Sequence, residues 1–434
     1  MKYLYEGSQE NELQQYKISE KLWQGISAAF ERAAKYIHAK GGYKAEYLTD
    51  KEVKPLIDKT YEAFSEAVDY GLKDNEIPTA MRMYLQDNVF VFSGFKAHTE
   101  LRQASALLRD ASGQIKPFNR FLSDIQKIDK DYNKTYLQAE YNFAVASSQA
   151  AARWQEFAAD GDDFLLQYRT AKDERVREQH RILDGITLPP SDKFWDEYYV
   201  PLGWNCRCSA VQVNPKRYPQ SDSEEALQRG RAATYQPNAK GQNKAQIFRF
   251  NSGKQKVVFP PKHPYYPKGC GNCKFNRKYF LAQNGNERNQ YCIACNALNH
   301  ECKIRARISI ENLAKPIRFR HPIFEGKIAK TSNKTRKKIA YVSDLESLLD
   351  KIDILENITE YFDAGKIDRL IEEGRASFDI EAVMHNSSNN AVRMYVLTMP
   401  YQGQLTHLQG TNVVFQFKEW TNRDITFYLI KENQ

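Results

Sequence analysis

From Arg169 to His180 the chain reads RTAKDERVREQH, with one branched aliphatic residue, Val176. Neither a two-residue nor a 3.6-residue apolar period runs through it, which excludes a buried strand or an amphipathic core helix. Arg169, Asp173, Arg175, Arg177 and His180 are therefore expected on a polar surface. Asp184-Gly185 marks a turn beyond them, and Pro189-Pro190 forbids helix across the next stretch. Trp195, Tyr198, Tyr199 and Trp204 then supply large apolar bodies that can fold a loop back onto a scaffold. The spacing predicts an ordered loop, not a linker, closing on Gly203, Trp204, Asn205, Cys206, Arg207 and Cys208.

Two readings of this loop stay open. His180, Cys206 and Cys208, with Asp173 or Asp184 nearby, are residue types that converge on zinc, although Cys-x-Cys is shorter than the usual two to four intervening residues. Alternatively, the two cysteines are packed thiols and His180 is a hydrogen-bonded anchor. A Cys-His nucleophilic pair is less supported, because no third orienting group or oxyanion hole is evident.

Together with VFSGFKAHTELRQASALLRDASGQIKPFNRF (residues 91–121) and YNKTYLQAEYNFAVASSQAAARW (residues 132–154), the loop resembles the head-morphogenesis domain of tailed bacteriophages of the Mu F type. The resemblance covers residues 91–214 and carries the family motif onto Arg169, Thr170, Asp173, Arg175, Arg177, His180, Asp184, Gly185, Gly203, Trp204, Asn205, Cys206, Arg207 and Cys208. It implies a minor capsid protein of a phage or prophage, associated with the portal vertex and acting in capsid assembly, DNA packaging or ejection. Portal and capsid proteins are the implied partners, the virion is the implied location, and the Mu F-type domain itself is expected to be non-enzymatic.

The chain has 434 residues, 41% of them hydrophobic, with 26 Tyr, 23 Phe and 5 Trp, enough for several globular domains and against disorder throughout. A formal charge of +9 favours an anionic neighbour such as phage DNA, host RNA or an acidic protein surface, or reflects solubility alone. No apolar run is long enough for a membrane segment, and MKYLYEGSQENELQQY lacks the apolar core of a signal peptide, so synthesis in the host cytoplasm is expected. Seven cysteines, an odd count with six in close local clusters, argue against a secreted disulfide framework.

Residues 1–90 read as a helical N-terminal region, with Leu22, Ile26, Ala29, Ala33 and Ile37 at three- and four-residue steps. The apolar stripe Tyr136, Ala139, Phe143, Ala146, Ala150, Trp154 and Phe157 marks the clearest helix, and its alanines allow a close partner helix. After residue 214 the chain turns loop-like and basic, and residues 215–262 are expected to be a linker.

Cys270-x-x-Cys273 and Cys292-x-x-Cys295 are separated by eighteen residues, the spacing of a structural four-cysteine zinc site within a ribbon-like module at residues 263–312. Asn284-Gly285 reads as the turn of a hairpin between the two knuckles. His300 and Cys302 are alternative ligands. Four thiolates close the metal's shell, so this zinc is expected to be structural, folding a module too small for its own core. Interleaved basic and aromatic residues around it suit nucleic-acid contact or a charged spacer.

Residues 313–434 read as a third, α+β domain. Ser343 and Glu346 form a capping box, a second helix covers residues 358–373, and four alternating segments follow as an antiparallel meander. This element order is similar to small ribonuclease-like folds of the barnase, EndoU and RelE kind, and Mu F-type proteins carry variable C-terminal effector domains. A ribonuclease would need a base, an acid and cationic stabilisation of phosphate. His385, Arg393 and His407, with Glu419 and Arg423, are the available parts, and no spacing ties them into one site. An ADP-ribosyltransferase is disfavoured, since Arg, Ser-x-Ser and Glu-x-Glu do not occur in order. The fold class expected is multidomain α+β.

Overall fold

The computed structural model describes residues 1–5, 16–267, 285–313, 318–331, 339–340, 345–382, 391–422 and 424–433. They form two compact units, residues 1–77 with 84–299, and residues 78–83 with 300–434. The chain is a multidomain α+β protein, as expected.

Unit 1 is built on helices α1 (Glu20–Ala39), α2 (Lys54–Leu72), residues 84–106 of α3 (Thr79–Ala106), α4 (Phe118–Lys130) and α5 (Leu137–Asp160). Ser19 caps α1 through a 3.3 Å bond from the Leu22 N–H, and Leu22, Ile26, Ala33 and Ile37 bury its apolar face. The small residues of α5 admit α2 closely: a Cβ added to Gly71 would lie 2.6 Å from the Val145 carbonyl oxygen. From Leu85 onward α3 is buried nearly all round, polar residues included. That is why its sequence shows no amphipathic stripe.

A three-stranded antiparallel sheet follows, ordered β2-β1-β3, with β1 (Leu165–Arg169), β2 (Thr187–Leu188) and β3 (Ser209–Val213). Two helical turns, α6 (Glu178–Arg181) and α7 (Phe194–Glu197), lie in the connections. The loop aromatics behave as expected: Trp195, Tyr198 and Tyr199 join Trp154, Phe157 and Tyr168 in one buried cluster.

Residues 215–262 are not a linker. They contain α8 (Ser223–Ala233), capped by the Asp222 carboxylate, and α9 (Ser252–Gln255). Phe248, Phe250, Val258 and Phe259 are buried, and Phe259 stacks on Phe92 at 3.6 Å between centroids. Asn88 Oδ1 accepts the Val258 and Phe259 N–H groups, both at 2.9 Å. These apolar residues fall in short runs with neither a helical nor an alternating period, so no periodicity announced them.

Helix α10 (Gly285–Leu313) departs from the expected ribbon. A hairpin turn at Asn284-Gly285 would send residues 286–292 back as a strand, whereas they run in a helix that continues through Cys292 and Cys295. Its Ala, Leu, Glu and Arg residues favour helix, and no proline or interior glycine interrupts it. Cys270 and Cys273 lie outside the described residues.

Unit 2 carries a six-stranded sheet ordered β4-β5-β9-β8-β7-β6. The expected meander is β6 (Ser377–Ala382), β7 (Ala391–Pro400), β8 (Asn412–Trp420) and β9 (Ile425–Asn433), all antiparallel. The short strands β4 (Arg318–Arg320) and β5 (Ile328–Lys330) extend it, β5 pairing parallel with β9. Helices α11 (Leu345–Glu356), α12 (Ile358–Tyr361) and α13 (Ala364–Glu372) precede the meander, and Leu348, Ile352, Tyr361, Phe415 and Phe427 are buried in this unit. The capping residue Ser343 lies outside the described residues. Among those residues no helix is long and apolar enough to cross a membrane.

Candidate functional site

Register between β1 and β3 builds the site. Arg169 pairs with Ser209 and Tyr168 with Ala210, so the chain leaving β1 runs beside the chain that delivers Cys206, Arg207 and Cys208 to β3. Gly185, at φ +82°, turns the connection so that its N–H reaches the Tyr168 carbonyl at 2.9 Å. Asp184 Oδ1 accepts from the Thr170 N–H at 2.8 Å and from the Thr170 hydroxyl at 3.0 Å.

The other motif residues hold the loop closed. Arg207 makes a two-pronged pair with Asp173, both bonds 2.6 Å, and this guanidinium pulls the Asp173 pKa down to about 2. Arg175 adds a 3.7 Å contact to the same carboxylate. Arg177 donates to the Trp204 carbonyl, and a Cβ on Gly203 would crowd its Nη1 at 3.3 Å. The Trp204 indole donates to the Leu4 carbonyl at 3.0 Å. Asn205 takes a left-handed φ of +55° and accepts from Asn142 Nδ2 at 3.0 Å. Arg169 Nε donates to Gln167 Oε1 at 2.9 Å.

His180 is buried rather than surface-exposed. Its Nδ1 lies 3.7 Å from the Cys206 sulfur and 3.6 Å from that of Cys208. The three donor atoms all lie within 4.8 Å of one another. Zinc bound tetrahedrally, with N at about 2.0–2.1 Å and S at about 2.3 Å, sets such N···S edges near 3.6 Å. A void of about 10 Å³ lies against the three residues, of the order of one water-sized sphere. Asp173, engaged by Arg207, and Asp184, engaged by Thr170, do not join this group. Cys206 is the thiol that ionises first: a hydrogen bond from Cys208, then the neighbouring His180 and Arg177, hold its pKa well below the usual thiol value. Its hydrogen bond with Cys206, and then burial, push that of Cys208 up.

Tyr168 forms the floor. It is fully buried, and its hydroxyl makes no hydrogen bond of ordinary geometry, with the Cys208 sulfur beside it. A pocket of about 390 Å³ opens along the same cysteines, walled also by Tyr16, Asn142, Arg153, Arg175 and Tyr199. Arg153 and Asn142 had no sequence signal, because they sit in the polar face of α5 like any solvated residue.

In α10, Cys292 and Cys295 are three residues apart and share a helix face. Asn299 Nδ2 lies 3.3 Å from the Cys295 sulfur. His385 and Arg423 lie outside the described residues. Arg393 and His407 do not meet: Arg393 lies near the start of β7 and His407 beyond its end at Pro400, about 20 Å further along the strand direction. His407 Nε2 bonds Asp350 Oδ1 at 2.9 Å. Arg393 faces Glu419 across the ladder and pairs with Glu325 at 2.7 Å. Glu419, nearly buried, bonds Lys327 Nζ at 2.6 Å and the Tyr395 hydroxyl at 2.8 Å.

A helical scaffold bearing a polar loop pinned between antiparallel strands is the class of domain that this geometry defines. Residues 103–211 match the family described as Phage Mu protein F like protein. The chain is 31% identical over 78 residues to the putative capsid assembly protein F of Escherichia phage Mu, an alignment covering 18% of each chain. It is 32% identical over 90 residues to an uncharacterised protein of Methanocaldococcus jannaschii, covering 21% of this chain and 14% of that one. The alignments thus span less than a fifth of either relative's length. No solved structure matches the chain.

Proposed function

We propose that this protein is a minor head protein of a phage or prophage, carried in the virion and placed at the portal vertex, where it serves capsid assembly, DNA packaging or ejection. The observation that carries this reading is the Mu F-like segment at residues 103–211, whose motif residues are spent on closing a loop and not on an exposed catalytic group. Portal and capsid proteins are its partners, and its positive charge also suits phage DNA. Purified virions should contain the protein, and portal-containing fragments of disrupted heads should retain it. Its absence from virions, with abundance in the lysate, would overturn the proposal.

Zinc is part of the proposal in two places. At His180, Cys206 and Cys208 it fastens the loop, a role supported by the tetrahedral spacing of the donors. At Cys270, Cys273, Cys292 and Cys295 four thiolates hold a structural ion, supported by the sequence spacing and by the one-turn separation of the second pair. Metal analysis of the full chain is expected to give two zinc ions, and the Cys206→Ser Cys208→Ser variant one. A wild-type value near zero would sink both assignments.

A second reading gives unit 2 a ribonuclease-like activity. It is supported by the ionised carboxylate of Glu419, which Lys327 and Tyr395 bond and Arg393 faces, an acid–base and cationic set at one end of the sheet. RNA cleavage by the full chain should disappear on Glu419→Gln or Arg393→Ala and survive His407→Ala. Absence of cleavage over a broad RNA panel would remove this reading and leave the head role intact.

A further inference from the structure

We infer that the pocket along Cys206 and Cys208 is a binding site for a carboxylate, which completes the coordination of the metal held by His180, Cys206 and Cys208. This rests on the zinc-fastening reading above. Three donors occupy three corners of a tetrahedron, and among the described residues no fourth metal-binding side chain joins them. Three protein ligands with an open fourth position are the arrangement of zinc sites that bind an exogenous group.

The surroundings point to an anion. Cys206, Arg207 and Cys208 are shared by the void of about 10 Å³ and the pocket of about 390 Å³, so one wall separates the ion's place from the larger space. That volume is ample for a carboxylate-bearing side chain or chain terminus. Arg153, Arg175 and Arg207 line it, and no aspartate or glutamate does. Arg175 and Arg207 share the single carboxylate of Asp173, which lies outside the wall, and Arg153 makes no ion pair among the described residues. Two thiolates and a neutral imidazole leave a zinc centre without net charge, so three guanidinium groups face the single carboxylate of Asp173 and the pocket keeps an excess of positive charge that suits an entering anion.

Tyr168 supplies an independent observation. A fully buried hydroxyl without a hydrogen bond is costly, and this one lies beside the Cys208 sulfur. Once metal-bound, Cys208 is a thiolate that accepts a hydrogen bond from the Tyr168 hydroxyl, so Tyr168 steadies this ligand instead of occupying the fourth corner. Oxygen donors of Asp and Glu type are ordinary zinc ligands, which favours a carboxylate over phosphate for the open position.

Cobalt(II) substitution of the full-length protein tests this directly. The metal should bind with a thiolate charge-transfer band, lost in the Cys206→Ser Cys208→Ser variant, and with visible bands of a four-coordinate site. Acetate is expected to shift those visible bands saturably, and Arg153→Ala Arg175→Ala to weaken the shift at least tenfold while keeping the charge-transfer band. Cobalt bound without any acetate shift overturns the pocket assignment and leaves the fastening intact. A shift with inorganic phosphate and none with acetate overturns the carboxylate. No band dependent on Cys206 and Cys208 overturns the fastening and this inference with it.

Discussion

Asp353 shows how burial of a single group sets a pH response. It is fully buried in α11, accepts from the Tyr401 hydroxyl, and its desolvation raises its pKa to about 6. Because the folded value lies above the unfolded one of about 3.9, its contribution is complete below about pH 4 and is lost as pH rises through 6. The loss amounts to up to about 3 kcal/mol. Asp353→Asn should therefore gain on the wild type between pH 4.5 and 7.5 in urea denaturation of unit 2. Parallel stability curves would contradict this. Fixed polar pairs in unit 1 work differently: Lys96 and Glu140 are both buried and bonded at 2.5 Å, and Tyr5 and Tyr265 also donate to Glu140. Removing one member of such a network leaves a buried charge unmatched, which is why it tolerates little change.

At the scale of elements, α5 itself was legible and its packing was not. The stripe read from the sequence faces the loop aromatics through Ala150, Trp154 and Phe157, whereas α2 comes close at other residues, with Gly71 against Val145 and Ser148. Gly71→Ala is expected to cost about 1–3 kcal/mol by overpacking, measurable as a lower denaturation midpoint for unit 1. No measurable loss would mean that α2 and α5 can separate freely at this point. The four strands of the meander were readable because apolar and polar residues alternate along them. The opposite case is residues 245–259, where Phe248, Phe250 and Phe259 are buried through long-range partners that no local pattern encodes. The ribbon expected around Cys292 failed for a related reason: Cys-x-x-Cys spacing fits a knuckle or one helical turn equally, and the surrounding helix formers decide.

On the scale of the whole molecule, two compact units predict two unfolding steps. Calorimetry of the zinc-loaded chain should resolve two transitions, and Cys206→Ser Cys208→Ser should lower the unit 1 transition alone. A single transition, or an equal shift of both, would refute this independence. Residues 103–211 lie entirely in unit 1 and all of the meander lies in unit 2, so the segment that resembles Mu F and the meander belong to different units.

The sequence by itself determined that residues 169–180 could not form a regular core element, that aromatics would hold the loop, and that α1, α5 and the meander would form. Local periodicity and turn chemistry are properties of neighbouring residues, and neighbours in sequence are enough to state them. Tertiary structure decided that His180 is buried against two sulfurs from residues 206 and 208, that Asp173 belongs to Arg207, and that Arg393 and His407 stand apart. These depend on the β1–β3 register and on the length of β7. A register is fixed by the packing of both strands together, not by the spacing within either.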